Sequence, residues 1–447
     1  TDGVPLFVEE LTKTVLETGQ LRDTGDRYVL DGPLPELAIP ATLQDSLMAR
    51  LDRMSQVKEV AQIGACIGRE FTYELIATAS PLRNGELRDA LRQLADSGLI
   101  FGRGYPPDAT YTFKHALVQD AAYHSLLKKK RQEIHSNIAQ TLEARFPQTI
   151  ATPPELMAHH FTEADLAERA IVYWHRAGQR ATERSANREA VGHLTKGLDI
   201  LTKTPATPGR TRQELALQIA LGAPLQALKG QASPETAEVF RRARELCEQL
   251  GDARQLSTVL HGLHAFHIVR GELLAAKDLA EECYHIAQHE DDGALLAPAL
   301  FVMGCVSFHL AKLTSARENF EKAVHLDDPS PRAPRVLPAG LDLRVFGKSY
   351  LSHAVWYLGY PDKAVEWSRA AAADAAERSH FFSQAVAAAY AAMLMQFLGD
   401  ARAAKQQADV AVALCTEHKF AYYLAWARVI RGWAVARDGP EDEGITE

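Results

Sequence analysis

The sequence has no cysteine cluster, no long apolar run and no surplus of positive charge, and each shortage excludes a class of protein. Cysteine occurs five times in 447 residues, at Cys66, Cys247, Cys283, Cys305 and Cys415, with no CxxC pair. Thiols so scattered suit neither a disulfide scaffold nor a zinc site; they read as reduced, packed side chains of a cytoplasmic protein. No apolar stretch reaches 18 residues, so no membrane span is expected. Lys+Arg 49 against Asp+Glu 57 give a net charge of −8, which makes nucleic acid an unfavoured partner. Also missing are GxxxxGK[ST], GxGxxG after a strand, HExxH and GxSxG, so no catalytic residue and no metal ligand is assigned. What remains, 47% hydrophobic and 24% charged, is globular and long enough for about three domains of roughly 150 residues.

The first 147 residues mix helix and strand patterns. Residues 5–19 carry Leu6, Phe7, Leu11 and Val15 at helical spacing and stop at Gly19. A loop-like stretch follows, with a short strand in Arg27-Tyr28-Val29-Leu30, until Pro40 opens another helix. Helices are predicted over 57–67, 71–79 and 85–97. Gly98-Leu99-Ile100-Phe101, a turn from Gly102 to Pro107 and Tyr111-Thr112-Phe113 then make a hairpin. Helix, strand, turn and strand in this order read as a winged-helix unit. One long helix is predicted from His115 through Leu142.

Beyond Pro147 strand-like alternation does not return, and the sequence repeats itself. Trp174, Gly178, Ala190 and Leu194 stand at positions 4, 8, 20 and 24 of a tetratricopeptide unit, and Gly304, Ala316 and Phe320 keep the same offsets. Further copies are marked by Gly271/Ala276, Gly359/Ala364 and Gly399/Ala404, with Gly432 and Gly439 in a truncated last one. Aligned on position 8, the copies fall at Ala158, Gly178, His264, Gly304, Ser352, Ala392 and Gly432. The later steps are mostly about 40 residues rather than the usual 34, which predicts longer helices. Small residues at 8 and 20 let two helices cross closely, and the large ones fill the gap to the next unit. Pro329, Pro331 and Pro334 mark a longer loop within the array.

Few side chains suggest chemistry. His159-His160 with Glu163 is read as a helix whose residues beside Ala158 face solvent, rather than as metal ligands. His261, His264 and His267 read as histidines packed in, or lining, a repeat groove. Lys128-Lys129-Lys130-Arg131 is the one dense basic run, and the helix that would enter a DNA groove balances Arg88 and Arg92 against Asp89 and Asp96. The run is therefore read as a solvated face or an intramolecular docking patch. His115 stands directly after the second hairpin strand, where a helix begins.

Several segments together resemble a bacterial family. They are Gly3-Val4-Pro5-Leu6-Phe7-Val8-Glu9-Glu10-Leu11, Ile39-Pro40-Ala41-Thr42-Leu43, Ala49-Arg50-Leu51-Asp52-Arg53 and Ile67-Gly68-Arg69-Glu70-Phe71. With them go Phe113-Lys114-His115-Ala116-Leu117-Val118-Gln119-Asp120-Ala121-Ala122-Tyr123 and Glu155-Leu156-Met157-Ala158-His159-His160. The chain is similar to the C-terminal half of proteins that join a class III adenylate/guanylate cyclase domain to a STAND-type ATPase and tetratricopeptide repeats. The resemblance implies a mainly α chain: a helical lid remnant over 1–38, a winged-helix domain with its following helix over 39–147, and a TPR-like α-solenoid over 148–447. Both ends then read as cut.

In such ATPases a Gly-x-Pro motif opens the lid and lines the adenine pocket, which matches Gly3 and Pro5, and a winged-helix histidine contacts the ADP phosphate, which matches His115. ATP or ADP with Mg is expected in the parent protein and no cofactor in this chain, which lacks the P-loop, the Walker B acid and the cyclase aspartates. Expected partners are a protein or small ligand on the repeats, and the P-loop core and cyclase domain of the same protein. The other reading is the C-terminal part of a STAND-type transcription regulator with a DNA-binding effector.

Overall fold

The computed structural model describes residues 21–23, 28–30, 48, 51–145, 153–290, 293–326, 342–377, 380–439 and 441–446. Gly3, Pro5, the predicted helix over 5–19 and the proline-rich loop at 329–334 lie outside them. The chain forms two compact units, Thr1–Ala170 and Ile171–Glu447. The composition change at residue 147 thus precedes the division between units by one helix and part of the next.

In the first unit, strands β1 (Leu21–Asp23) and β2 (Tyr28–Leu30) pair antiparallel. Helix α1 (Ser55–Ile67) leads into β3 (Glu70–Thr72), α2 (Tyr73–Ala79) and α3 (Asn84–Asp96), and then into the hairpin β4 (Ile100–Arg103) and β5 (Thr110–Phe113). The sheet order is β3-β5-β4, all antiparallel. Strand β3 is absent from the sequence reading, which ran a helix over 71–79. Two facts explain it. Phe71 stacks on Tyr111 at 5.8 Å and packs on Phe113 at 5.7 Å, while the Thr72 hydroxyl accepts the Leu75 N–H and so starts α2 only after the strand. Gly64 on α1 makes room, since a Cβ there would lie 2.8 Å from the Phe71 ring.

The single long helix predicted from His115 is two, α4 (Ala116–His124) and α5 (Lys128–Arg145). Ser125 causes the break: its hydroxyl donates to the Ala122 carbonyl at 2.7 Å and accepts from Gln62 Nε2 at 2.8 Å. Helix α6 (Pro154–Glu163) then packs on α5 and closes the first unit.

Helix α7 (Ala167–Glu183) runs into the second unit, which is built of antiparallel helix pairs. These are α7 with α8 (Asn187–Thr202), α9 (Pro208–Lys229) with α10 (Pro234–Leu250), and α11 (Ala253–Val269) with α12 (Leu273–His289). A 3-10 turn at Gly293–Leu295 precedes α13 (Leu296–His309), paired with α14 (Leu313–Leu326). The array continues as α15 (Leu343–Tyr357) with α16 (Pro361–Glu377) and α17 (Phe381–Phe397) with α18 (Ala401–His418), and ends in α19 (Ala421–Asp438) and α20 (Glu441–Thr446). No strand occurs among the described residues of this unit, and each helix packs on its sequence neighbours, as an α-solenoid requires. One continuous apolar core runs from Leu215 to Ala427.

Position 8 behaves as the repeat reading requires. A Cβ on Gly178 would lie 2.4 Å from Leu194 Cγ, and one on Gly304 2.6 Å from the Phe320 ring. The structure adds a copy that the alignment missed, α9 with α10, in which Gly222 meets Phe240. Gly222 falls midway between Gly178 and His264, and that spacing was the available signal.

The inter-helix turns share a left-handed residue. It is glycine at Gly271 (φ 74°), Gly359 (φ 87°) and Gly399 (φ 76°), but Ala311 (φ 59°) holds the same place between α13 and α14. An L side chain there crowds the following carbonyl. Ala311→Gly is therefore expected to stabilise the second unit by about 0.5–1 kcal/mol, the strain relief exceeding the unfolded-state entropy of glycine. Urea unfolding followed by tryptophan fluorescence reads this, because all five tryptophans (Trp174, Trp356, Trp367, Trp426 and Trp433) lie in that unit. A lower urea midpoint would remove the strain argument.

Candidate functional site

His115 stands between β5 and α4, at the N-cap position of the helix with extended backbone (φ −131°, ψ 144°). Its carbonyl accepts from Val118 N–H at 3.1 Å, but its side chain makes no cap bond. Nε2 is shielded from solvent and has no hydrogen-bond partner among the described residues. Imidazole nitrogens deprived of both water and protein partners are uncommon.

Behind α4 lies a buried polar cluster. His135 Nδ1 and His160 Nδ1 are 2.8 Å apart, so one of them donates to the other. His135 Nε2 lies 3.2 Å from the Tyr123 hydroxyl, which donates to Glu163 Oε2 at 3.0 Å. Burial holds both imidazoles neutral, lowering His135 to about 4 and His160 to about 3. His160 thus faces inward, whereas the sequence reading put the neighbours of Ala158 in solvent. Met157, Ala158, His160 and Phe161 are all buried, and a helical face that wide includes His160. Among the described residues no three His, Cys, Asp or Glu side chains are grouped to hold a metal ion.

Half of the basic run is engaged within the first unit. Lys130 Nζ lies 3.5 Å from Glu59 Oε1, and the Arg131 guanidinium lies 5.1 Å over the Tyr123 ring. On α3, Arg92 pairs with Asp89 at 3.3 Å. Lys128, Lys129 and Lys130 are nevertheless exposed, as a solvated helix face requires. The five cysteines are all buried free thiols, and burial pushes Cys66 and Cys247 up to about 12.

The second unit holds a chamber of about 300 Å³, lined by α11, α13, α15, α17 and α19 with Gln231 from the loop after α9. The first helix of each successive pair faces inward, so residues about 40 apart in sequence meet on one wall. Tyr350 and Tyr390 are an example, with rings 5.2 Å apart and hydroxyls that hydrogen-bond. Both stand two residues before a position-8 residue, Ser352 and Ala392, a register that could have exposed them. His261 stacks flat on Phe301 at 5.8 Å, and His353 Nε2 donates to the Tyr390 carbonyl at 3.0 Å.

No Asp, Glu, Lys or Arg lines the chamber. Burial keeps its imidazoles uncharged: His261 and His353 are lowered to about 4, and His264 well below the ordinary range. His261 and His264 each keep an Nε2 without a partner among the described residues. The groove expected for His261 and His264 is therefore present. His267 instead turns to Glu272, with Nδ1 2.6 Å from Oε2.

The chamber is closed at one side. After α9, Gly230 comes so near α19 that a Cβ there would lie 3.8 Å from Tyr422 Cβ. The array bends far enough for its second and last pairs to touch.

No family model matches the chain. An uncharacterised protein of Rhizobium meliloti is 23% identical over 367 residues, which cover 80% of this chain and 34% of that protein. The chain thus spans about a third of that relative's length. Among solved structures it is similar to a STAND protein with a tetratricopeptide repeat sensor from Pyrococcus horikoshii, at 13% identity over 91% of this chain and 64% of that one (TM-score 0.39). It is also similar to a Rap protein complexed with competence and sporulation factor, at 11% identity over 90% and 95% (TM-score 0.48), and to yeast Tom70, at 12% identity over 99% and 82% (TM-score 0.35).

Proposed function

We propose that the chain is the regulatory and sensory part of a cytoplasmic signalling ATPase. The repeats bind a protein or small ligand, the winged-helix unit passes that state to a P-loop core bound to ATP or ADP, and the core controls an adenylate or guanylate cyclase domain of the same protein. The observation that carries this reading is the aromatic chamber, a built cavity whose buried imidazole nitrogens have no partner within the described chain. A protein that only needed a stable array of helices would fill such a space with apolar side chains. The unpartnered Nε2 of His115 supports the nucleotide end of the reading, because an imidazole nitrogen that carries hydrogen donates to a phosphate oxygen.

Signalling then follows from differential affinity. ADP favours a closed arrangement of core, lid and winged helix, and a ligand on the repeats favours the open one to the extent that it binds the open form better. In the chain extended upstream to include its P-loop core, His115→Ala is expected to weaken ADP binding about 10- to 100-fold, the worth of a hydrogen bond to a charged group. Unchanged ADP affinity in His115→Ala, and in Pro5→Ala, removes the assignment of those residues to the nucleotide.

A further inference from the structure

Away from the chamber, α12 ends in a second pair of imidazoles. His285 and His289 stand one turn apart at its C-terminal end, and both are exposed. Residues four apart share a helix face, so their side chains can close on one point. These two do: the Nε2 atoms are 3.1 Å apart, whereas the ring centroids are 4.3 Å apart. The rings therefore converge on their nitrogen tips.

That spacing is the one a shared metal ion requires. With metal–nitrogen bonds of about 2.0–2.1 Å and bond angles of about 90–110°, two neighbouring ligand nitrogens lie roughly 2.8–3.4 Å apart. The same distance permits a hydrogen bond, one ring donating to the other. On an open helix face such a bond competes with water and by itself holds the pair only weakly. The pair His135 and His160 differs, because both of its rings are buried and a hydrated ion has no access to them.

The surroundings select the class of ion. His289 is the last residue of α12, where carbonyls without helical partners carry partial negative charge and favour a cation. The carboxylates one turn back are engaged elsewhere, Glu281 with Lys277 at 3.1 Å and Glu282 with Arg244 at 3.1 Å. Ca²⁺ and Mg²⁺ require several oxygen ligands, and here the protein offers two imidazole nitrogens instead. Imidazole suits Ni²⁺, Cu²⁺ and Zn²⁺.

We propose that His285 and His289 together bind one divalent transition-metal ion through their Nε2 atoms, with water in the remaining positions. The ion clamps the last turn of α12, ahead of the 3-10 turn at Gly293–Leu295. Neither histidine lines the chamber or belongs to the first unit, so the site stands apart from the sensory and nucleotide readings.

Calorimetric titration of the whole chain, free of any histidine tag, with nickel chloride tests this. One Ni²⁺ per chain is expected at the tightest site, and Mg²⁺ should not bind there. His285→Gln and His289→Gln should each weaken that site about 10- to 100-fold, since either leaves one ligand in place of two. Both positions are exposed and glutamine is a good helix former, so the far-UV circular dichroism should not change. His325→Gln removes an exposed histidine elsewhere and should leave Ni²⁺ affinity as it is. In NMR of the histidine ring C–H groups, Zn²⁺ should move two of the seventeen rings, the two identified by the variants.

No Ni²⁺ site in the unaltered chain, an undiminished site in either single variant, or Mg²⁺ binding as tight as that of Ni²⁺ would each overturn the proposal. Zn²⁺ shifts confined to other histidines, such as His135 and His160, would put the metal elsewhere and overturn it too.

Discussion

Phe240→Ala is expected to cost the second unit about 3–5 kcal/mol, the range for deleting a fully buried aromatic ring. The ring is 1% exposed and is pinched between two helices: a Cβ on Gly222 of α9 or on Gly262 of α11 would lie 2.4 Å from its tip. It has no free space into which to move, so Gly222→Ala and Gly262→Ala should each destabilise by about 1–3 kcal/mol through overpacking. The two classes of change are coupled, and the coupling has a distinctive sign. Once Phe240 is alanine the obstacle is gone, and Gly262→Ala should become stabilising by up to about 1 kcal/mol, the helix preference of alanine over glycine. Urea midpoints from tryptophan fluorescence give all four corners of this cycle. If Gly262→Ala is equally harmful with and without the Phe240 ring, the close approach of α9, α10 and α11 is not what holds the pair.

Acid is expected to unfold the same unit. In the unfolded chain His261 and His353 take up protons near the ordinary value of 6.5, whereas the buried rings resist until about 4. Between those values the unfolded state binds more protons, so stability falls as pH falls and levels off once both states are protonated. Each histidine contributes about 3 kcal/mol across the window, at roughly 1.36 kcal/mol per pH unit. His264 acts in the same direction, and its neighbours His261, His267 and His309 offer no negative charge to offset it. The free energy of unfolding, plotted from pH 6.5 to pH 4, should therefore slope by two to three protons, and His261→Phe should lower that slope by about one. A flat profile over this range would mean that these rings are hydrated, and the chamber would lose its uncharged lining.

Much of the architecture was legible because its physics is local. Gly178 with Leu194 and Gly304 with Phe320 are contacts between adjacent helices sixteen residues apart, so the spacing itself carries them. The β4–β5 hairpin was legible for the same reason, from Gly102 and Pro107 between two short apolar runs. Two local failures came from polar side chains that compete with the backbone: Thr72 delays a helix until β3 has formed, and Ser125 ends one. Gly222 was passed over although its spacing fits, because Pro224 sits within α9 and obscures the repeat pattern there.

The site was the least legible part. Its walls come from residues as far apart as Gln231 and Trp426, and the property that matters, buried unpartnered imidazole nitrogens beside an aromatic cavity, belongs to no short window of sequence. His264 was noticed as a repeat position and as one of three spaced histidines, but only burial separates it from His267, which pairs with Glu272. His115 was singled out by resemblance and is found with a bare Nε2, whereas Gly3 and Pro5 lie outside the described residues.

The approach of α9 to α19, which bounds one side of the chamber, has a direct test. The gap of 3.8 Å between Tyr422 Cβ and the Cβ position at Gly230 matches the separation of about 3.8 Å across a disulfide. All five native cysteines are buried, so a new pair would not exchange with them. Gly230 has φ 89°, so a cysteine there carries backbone strain and the single Gly230→Cys variant is the control for folding. In Gly230→Cys/Tyr422→Cys a disulfide should form under mild oxidation of the folded chain, while each single variant stays a free thiol. If Gly230→Cys alone folds with unchanged circular dichroism and the double variant keeps both thiols free under the same oxidant, α9 does not approach α19 and the cavity lacks that wall.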